Sequence, residues 1–152
     1  MKSYESDGIL GLSVTINGST ILFINVYFAV TCHEKYEEYI MSLGILRSIL
    51  ESHDEDHVSI SGDFNTTPGS PRFNEICDML HENRVMFRDT DILPDNTYTH
   101  VNNGSQTCSS LDHIAMSDVL SQSTVDCRTP SRKLLVQITV RLQLHLTFTN
   151  CQ

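Results

Sequence analysis

The sequence predicts a layered α/β fold, and three observations carry that prediction. Two apolar runs, Leu10–Ile16 and Ile21–Tyr27, are joined by Asn17-Gly18, the strongest short-range signal for a hairpin. A stretch of helical periodicity then separates the second run from a short apolar strand at His57–Ser61, as a crossover between neighbouring strands requires. The tail from Val136 to Phe148 alternates apolar and polar residues strictly, which predicts one long two-faced strand.

Taken in order, the first strand places Leu10, Leu12, Val14 and Ile16 on one face and small or polar residues on the other, so it reads as half buried. The second, Ile21–Tyr27, is apolar on both faces and is expected to be central. Thr31 is placed to cap a helix, and Glu34 three residues on completes a capping box. Tyr36, Tyr39, Ile40, Leu43, Leu46 and Leu50 keep helical spacing, with the end expected near Ser52. Ser70-Pro71 opens a second helix with Ser70 as the cap, and Phe73, Ile76, Cys77 and Leu80 form its inner face. Residues 84–96 read as irregular. Thr97–Val101 and Ser109–Met116 read as partner strands around a turn at 102–105, and Thr129-Pro130-Ser131 is the nearest thing to a boundary.

A chain of 152 residues with 39% hydrophobic content suits one domain. The formal net charge of −9 opposes non-specific nucleic-acid binding and favours binding of cations. Cys32, Cys77, Cys108, Cys127 and Cys151 lack zinc or redox spacing and read as free thiols in a reducing compartment. The first residues have no apolar core, and no apolar run reaches membrane-spanning length. An intracellular protein without a membrane partner is expected, nuclear or cytoplasmic.

The chemistry concentrates at Gly62-Asp63-Phe64-Asn65, where the His57–Ser61 strand ends. Strand periodicity puts Asp63 and Asn65 on one side, at the carboxyl end of a strand where ligands gather in such folds. A carboxylate that accepts a proton beside an amide that donates to an oxyanion suits hydrolysis of a phosphate ester. An Asx-rich turn bonding its own backbone is the competing reading. Asp112 lies between Leu111 and Ile114, and an acid in an apolar strand needs a partner or a task. His53-Asp54-Glu55-Asp56-His57 is the densest set of metal-ligand types, with a solvated acidic loop as the favoured reading. His33, His81, His100 and His145 lack ligand spacing and read as surface residues. Arg128, Arg132, Lys133 and Arg141 make a modest basic region.

Three ordered motifs, Asn25-Val26-Tyr27, Gly62-Asp63-Phe64-Asn65 and Ser110-Leu111-Asp112-His113-Ile114, resemble the endonuclease/exonuclease/phosphatase family of deoxyribonuclease I and the abasic-site endonucleases. The wording is most similar to the endonuclease domains of LINE-type retrotransposons, from about Ile9 to about Leu142. The resemblance implies a two-layered β-sandwich flanked by helices and a phosphodiester hydrolase using Mg²⁺ or Mn²⁺, with DNA or another phosphate ester as partner. It implies catalytic roles for Tyr27, Asp63, Asn65 and Asp112. Tyr27 and Asn65 would bind phosphate, Asp63 would position or deprotonate water, and Asp112 would orient a histidine near the C-terminus.

Departures from the family pattern temper that expectation. The two strands that carry the family's asparagine and metal-binding glutamate would precede the hairpin, and the chain starts after them. An N-terminally incomplete domain over 1–152, lacking the first strands of the family fold, is therefore expected, with self-association through exposed strand edges. Ala29 stands where the tyrosine loop usually has proline. Arg132 and Lys133 fill the register of the C-terminal aspartate and histidine. Loss of one member of a concerted site typically costs orders of magnitude in rate. The expectation is thus weak or absent catalysis, with a non-catalytic nucleic-acid- or protein-binding remnant, or a truncated mobile-element product, as the other readings.

Overall fold

A computed structural model of the chain describes residues 3–30, 35–94, 97–102, 104–122, 124–128 and 137–140. The elements are β1 (Ser3–Ser6), β2 (Ile9–Ile16), β3 (Ser19–Tyr27), α1 (Tyr36–Ser52), β4 (His57–Asp63), α2 (Pro71–Glu82), β5 (Val85–Phe87), α3 (Asp89–Ile92), β6 (His100–Asn102), β7 (Thr107–Ser109), β8 (Asp112–Ser117), α4 (Asp118–Gln122), β9 (Thr124–Arg128) and β10 (Gln137–Val140). Among the described residues, β1-β2-β3-β4-β8-β5 form a six-stranded sheet, and β6-β7 and β9-β10 form two-stranded ribbons. The mixed α/β class read from the sequence is the class observed.

The predicted hairpin is present. Asn17 and Gly18 both take positive φ, 52° and 88°, as a two-residue turn matched to strand twist requires. β2 and β3 pair antiparallel from Ile9↔Val26 to Ile16↔Ser19. The predicted crossover follows: α1 connects β3 to β4, which run parallel with Tyr27 opposite Asp63. β8 then pairs antiparallel with β4, and Asp63 faces Asp112. β1 lies on the outer edge beside β2, a short strand the sequence pattern did not reveal.

The sheet has a covered face and an open face. On the covered face, Ile9, Leu22, Ile24, Val26, Val58 and Ile60 pack against Tyr39, Leu46, Ile49 and Leu50 of α1 and Phe73, Ile76, Met79 and Leu80 of α2. Residues one step along each strand point the other way. There Ile21, Ile114 and Met116 meet Leu120 of α4 at one end. Elsewhere on that face Leu10 is 56% exposed and Phe23 42% exposed. β3 is therefore central, as expected, but it is not buried on both faces. The described residues supply the six-stranded sheet with its helices, together with the two ribbons.

α2 opens as its sequence dictates: the Ser70 hydroxyl accepts from Phe73 N at 3.2 Å, and Pro71 is the first helical residue. α1 starts at Tyr36 with Lys35 in the cap position. The Thr31–Glu34 capping box lies outside the described residues. So do Arg132, Lys133, Arg141, the 129–131 boundary and most of the long tail strand, of which β10 is the described part.

Two local expectations are corrected. Residues 84–96 are not wholly irregular, since β5 pairs with β8 and α3 follows it. The expected strand Ser109–Met116 is broken in two. Thr99 Oγ1 accepts from the backbone N of Leu111 at 3.0 Å and of Asp112 at 3.1 Å, so these amides are satisfied by a side chain at the point where β7 ends and β8 begins.

Gly62 shows how tightly the strand ends are fitted. Its φ is 138°, and a Cβ there would overlap the backbone of Val26 on the neighbouring strand. Gly62→Ala is expected to destabilise the fold by about 3 kcal/mol or more through combined strain and overpacking. Urea denaturation of the variant beside the parent chain measures this.

Candidate active site

Three strands contribute one residue each to a single row. Tyr27 ends β3, Asp63 ends β4 and Asp112 begins β8, and pairing sets Tyr27 opposite Asp63 and Asp63 opposite Asp112. Residues paired across neighbouring strands project to the same face. The row sits on the open face, at the carboxyl ends of the two parallel strands. Tyr27 is 60% exposed, and both carboxylates are half-buried.

The backbone around the row is pinned. Phe28 N donates to Asp63 O at 2.8 Å, Phe64 N to Leu111 O at 2.9 Å, and Tyr27 N to Gly8 O at 2.7 Å. Phe64 is buried, with edge-on ring contacts to Phe28, Phe87 and His113. It anchors the segment from below while Asp63 stays at the surface.

Asn65 departs from the strand reading. β4 ends at Asp63, and Asn65 has a φ of 48°, so two-residue periodicity does not extend to it. Its side-chain amide donates to Phe28 O at 2.8 Å, and its backbone N donates to Asp63 Oδ1 at 2.8 Å. Asn65 thus ties the loop after β3 to the loop after β4 and helps orient the Asp63 carboxylate. The turn chemistry read as the competing explanation is present alongside the row of polar side chains.

Asp63 holds its proton more tightly than an ordinary aspartate. Burial is the main cause, and the nearby Asp112 carboxylate adds to it. The Asn65 amide and the charge of His100 act in the opposite direction. Close like charges separate proton affinities in this way when acids share a site.

Beneath the row lies a buried polar pair. His113 Nδ1 is 2.7 Å from Asp89 Oδ2, His113 Nε2 is 3.0 Å from Thr66 O, and Ile114 N donates to Asp89 Oδ1 at 2.8 Å. The Thr66 carbonyl only accepts, so Nε2 carries a hydrogen. One further proton lies between Nδ1 and Oδ2, whichever atom holds it. Sequence reading missed Asp89, which falls in a stretch read as irregular.

The His53–His57 segment is not a freely solvated loop. Glu55 is buried, and Asp56 Oδ2 accepts from Thr20 N at 2.7 Å and from the Thr20 hydroxyl at 2.9 Å. These contacts join the β4 entry to β3 and lower the Asp56 pKa. Among the described residues no group of three or more His, Cys, Asp or Glu could hold a metal ion. Among the described residues, the donors for the divalent metal that the resemblance implies are therefore the two carboxylates Asp63 and Asp112, which face one another. Among the described residues no helix is long and apolar enough to cross a membrane.

No family model and no curated protein sequence matches the chain. Solved structures do. The endonuclease domain of TRAS1, a telomere-specific non-LTR retrotransposon, superposes with a TM-score of 0.68 at 14% identity, over 91% of this chain and 66% of that one. The 3′-5′ exonuclease NExo from Neisseria meningitidis gives 0.65 at 17% identity, over 86% and 64%. An endonuclease/exonuclease/phosphatase family protein from Leptotrichia buccalis gives 0.58 at 13%, over 88% and 52%. The chain has the fold of the endonuclease/exonuclease/phosphatase family, and it spans less than two-thirds of the length of these relatives.

Two measurements follow from this geometry. Asp89→Ala leaves the His113 ring and Ile114 N without their partner and is expected to lower stability by about 3–5 kcal/mol, read by urea unfolding. For Asp63, the folded chain binds the proton more tightly than the unfolded chain. Its contribution to stability is fully present below the unfolded pKa and is lost as pH rises through the raised folded value. Asp63→Asn is therefore expected to melt at or above the parent's temperature at about pH 7 and to show no advantage at about pH 3, where the Asp63 carboxyl is mostly neutral in the folded and the unfolded chain alike. Scanning calorimetry across that range reads the difference.

Proposed function

We propose that the chain is a phosphate-ester-binding domain of the nuclease type, with weak phosphodiester hydrolysis centred on Asp63. The observation that carries this reading is the in-register row Tyr27–Asp63–Asp112 at the open end of the sheet. An exposed phenol donates to a phosphate oxygen. A carboxylate with raised proton affinity takes the proton of an attacking water. Asn65 keeps that carboxylate oriented through its backbone N–H and serves phosphate by holding the Tyr27–Phe28 turn in place. Asp112 supplies the second negative charge.

A polymeric substrate suits the setting better than a small molecule. A cavity of about 530 Å³ lies beside the root of the β6-β7 hairpin, lined in part by Thr67, Asp89, Tyr98 and Ser109, and none of the row residues lines it. Small-molecule sites are usually concave, whereas this row lies on an open surface a strand of nucleic acid can cross. DNA is the substrate class proposed, in keeping with the structurally similar NExo from Neisseria, which binds a product DNA hairpin.

Mg²⁺ or Mn²⁺ would neutralise the carboxylate pair and the phosphate, but the described donors do not complete a site for either. That shortfall favours as second reading a domain that binds without turnover. Supercoiled plasmid incubated with the chain and either metal separates the two. Slow nicking abolished by Asp63→Asn is expected, with a loss of at least about 100-fold. Nicking unaffected by that substitution, or none at any metal concentration, removes the hydrolytic reading.

A further inference from the structure

We infer that His100 is the proton donor of the phosphate site, facing Asp63 and Asp112 from the β6-β7 hairpin and protonating the leaving oxygen. The inference rests on the Asp63-centred reading above and adds a residue that the sequence motifs did not single out.

The hairpin root fixes where His100 lies. Thr99 is fully buried, its backbone N donates to Ser109 O at 3.0 Å, and its hydroxyl accepts from the backbone N of Asp112 at 3.1 Å. His100 is the next residue and pairs with Ser109 across the ribbon. One side chain thus joins the backbone of a row carboxylate to the residue immediately before His100. The ring itself is exposed and available to a substrate. It is near enough to Asp63 that its charge helps to hold that carboxylate ionised. The residues that share the row with Asp63 are Asp112 from β8 and Tyr27 from β3, an acid and a phenol. Among the row residues nothing carries positive charge, and an imidazolium supplies what a developing alkoxide needs. The sequence register that the resemblance gives to a histidine holds Lys133, normally a fully protonated group and a poor proton shuttle.

The step balances without further reagents. Water attacks phosphorus and passes a proton to the Asp63 carboxylate. The bond from phosphorus to the leaving oxygen breaks, and the His100 imidazolium gives that oxygen its proton. A phosphodiester and water become a phosphomonoester and an alcohol. Asp63 then returns its proton to solvent, and His100 regains one.

Leaving-group chemistry tests this. A DNA phosphodiester expels an alkoxide that needs a proton, whereas a p-nitrophenyl phosphodiester expels a phenolate that does not. His100→Gln is expected to slow DNA nicking about 100-fold and to change p-nitrophenyl release by less than about threefold. A role in folding or in charge alone slows both reactions together and overturns the inference. Asp63→Asn is expected to slow both. If Asp63→Asn has no effect, the reading of the site fails; if only His100→Gln has none, the inference fails alone. A second measurement holds even without turnover. The ring resonances of His100 are expected to move when inorganic phosphate is added and when Asp63 is replaced by Asn. Resonances indifferent to both overturn the placement of His100 at the site.

Discussion

The parallel pairing of β3 with β4 is the constraint on which the site depends. It sets Tyr27 beside Asp63 and carries the Asp63 carboxylate to the edge of the sheet. The pairing closes at its end only because residue 62 has no side chain to collide with the Val26 backbone. From there the chain is tied on both sides, by Phe28 N to Asp63 O and by Phe64 N to Leu111 O. Three strand ends become one polar row because the backbones beneath them touch.

The sheet divides its labour between two faces. Aromatic and aliphatic side chains from α1 and α2 fill the covered face, and burial there is the main source of stability. The other face bears the row at one end and the α4 contact at the opposite end, with Leu10 and Phe23 exposed between them. Asp63 opposes the fold when ionised, since it is held above its ordinary range by burial and by Asp112. Sites that must meet charge commonly carry such tension, and the packed face beneath supplies the rigidity that sustains it.

What the sequence disclosed was mostly local. Asn17-Gly18 announces its turn because both residues tolerate positive φ. Ser70-Pro71 announces a helix start because a hydroxyl acceptor and a residue without an N–H suit the first turn. The ordered motifs that resemble a known family contain Tyr27, Asp63 and Asp112, which strand pairing sets side by side. The features that stayed hidden depend on partners distant in the chain. Thr99 splits the run 109–116 by taking its amides from the side. Asp89 finds His113 across 24 positions, with no periodic pattern to betray it. β5 is three residues long, too short for alternation to register. Asn65 was read as an extension of β4, but its left-handed backbone turns the amide back to Phe28.

The Asp89–His113 pair bears on how this sequence can change over time. Each atom of the pair is already committed: the carboxylate to a ring and a backbone amide, the ring to a carboxylate and a carbonyl. A replacement at either position strands the other in an apolar aromatic nest of Phe64, Phe73 and Phe87. The two positions are therefore coupled in descent, free to drift as a couple but each a barrier to the other's solitary substitution.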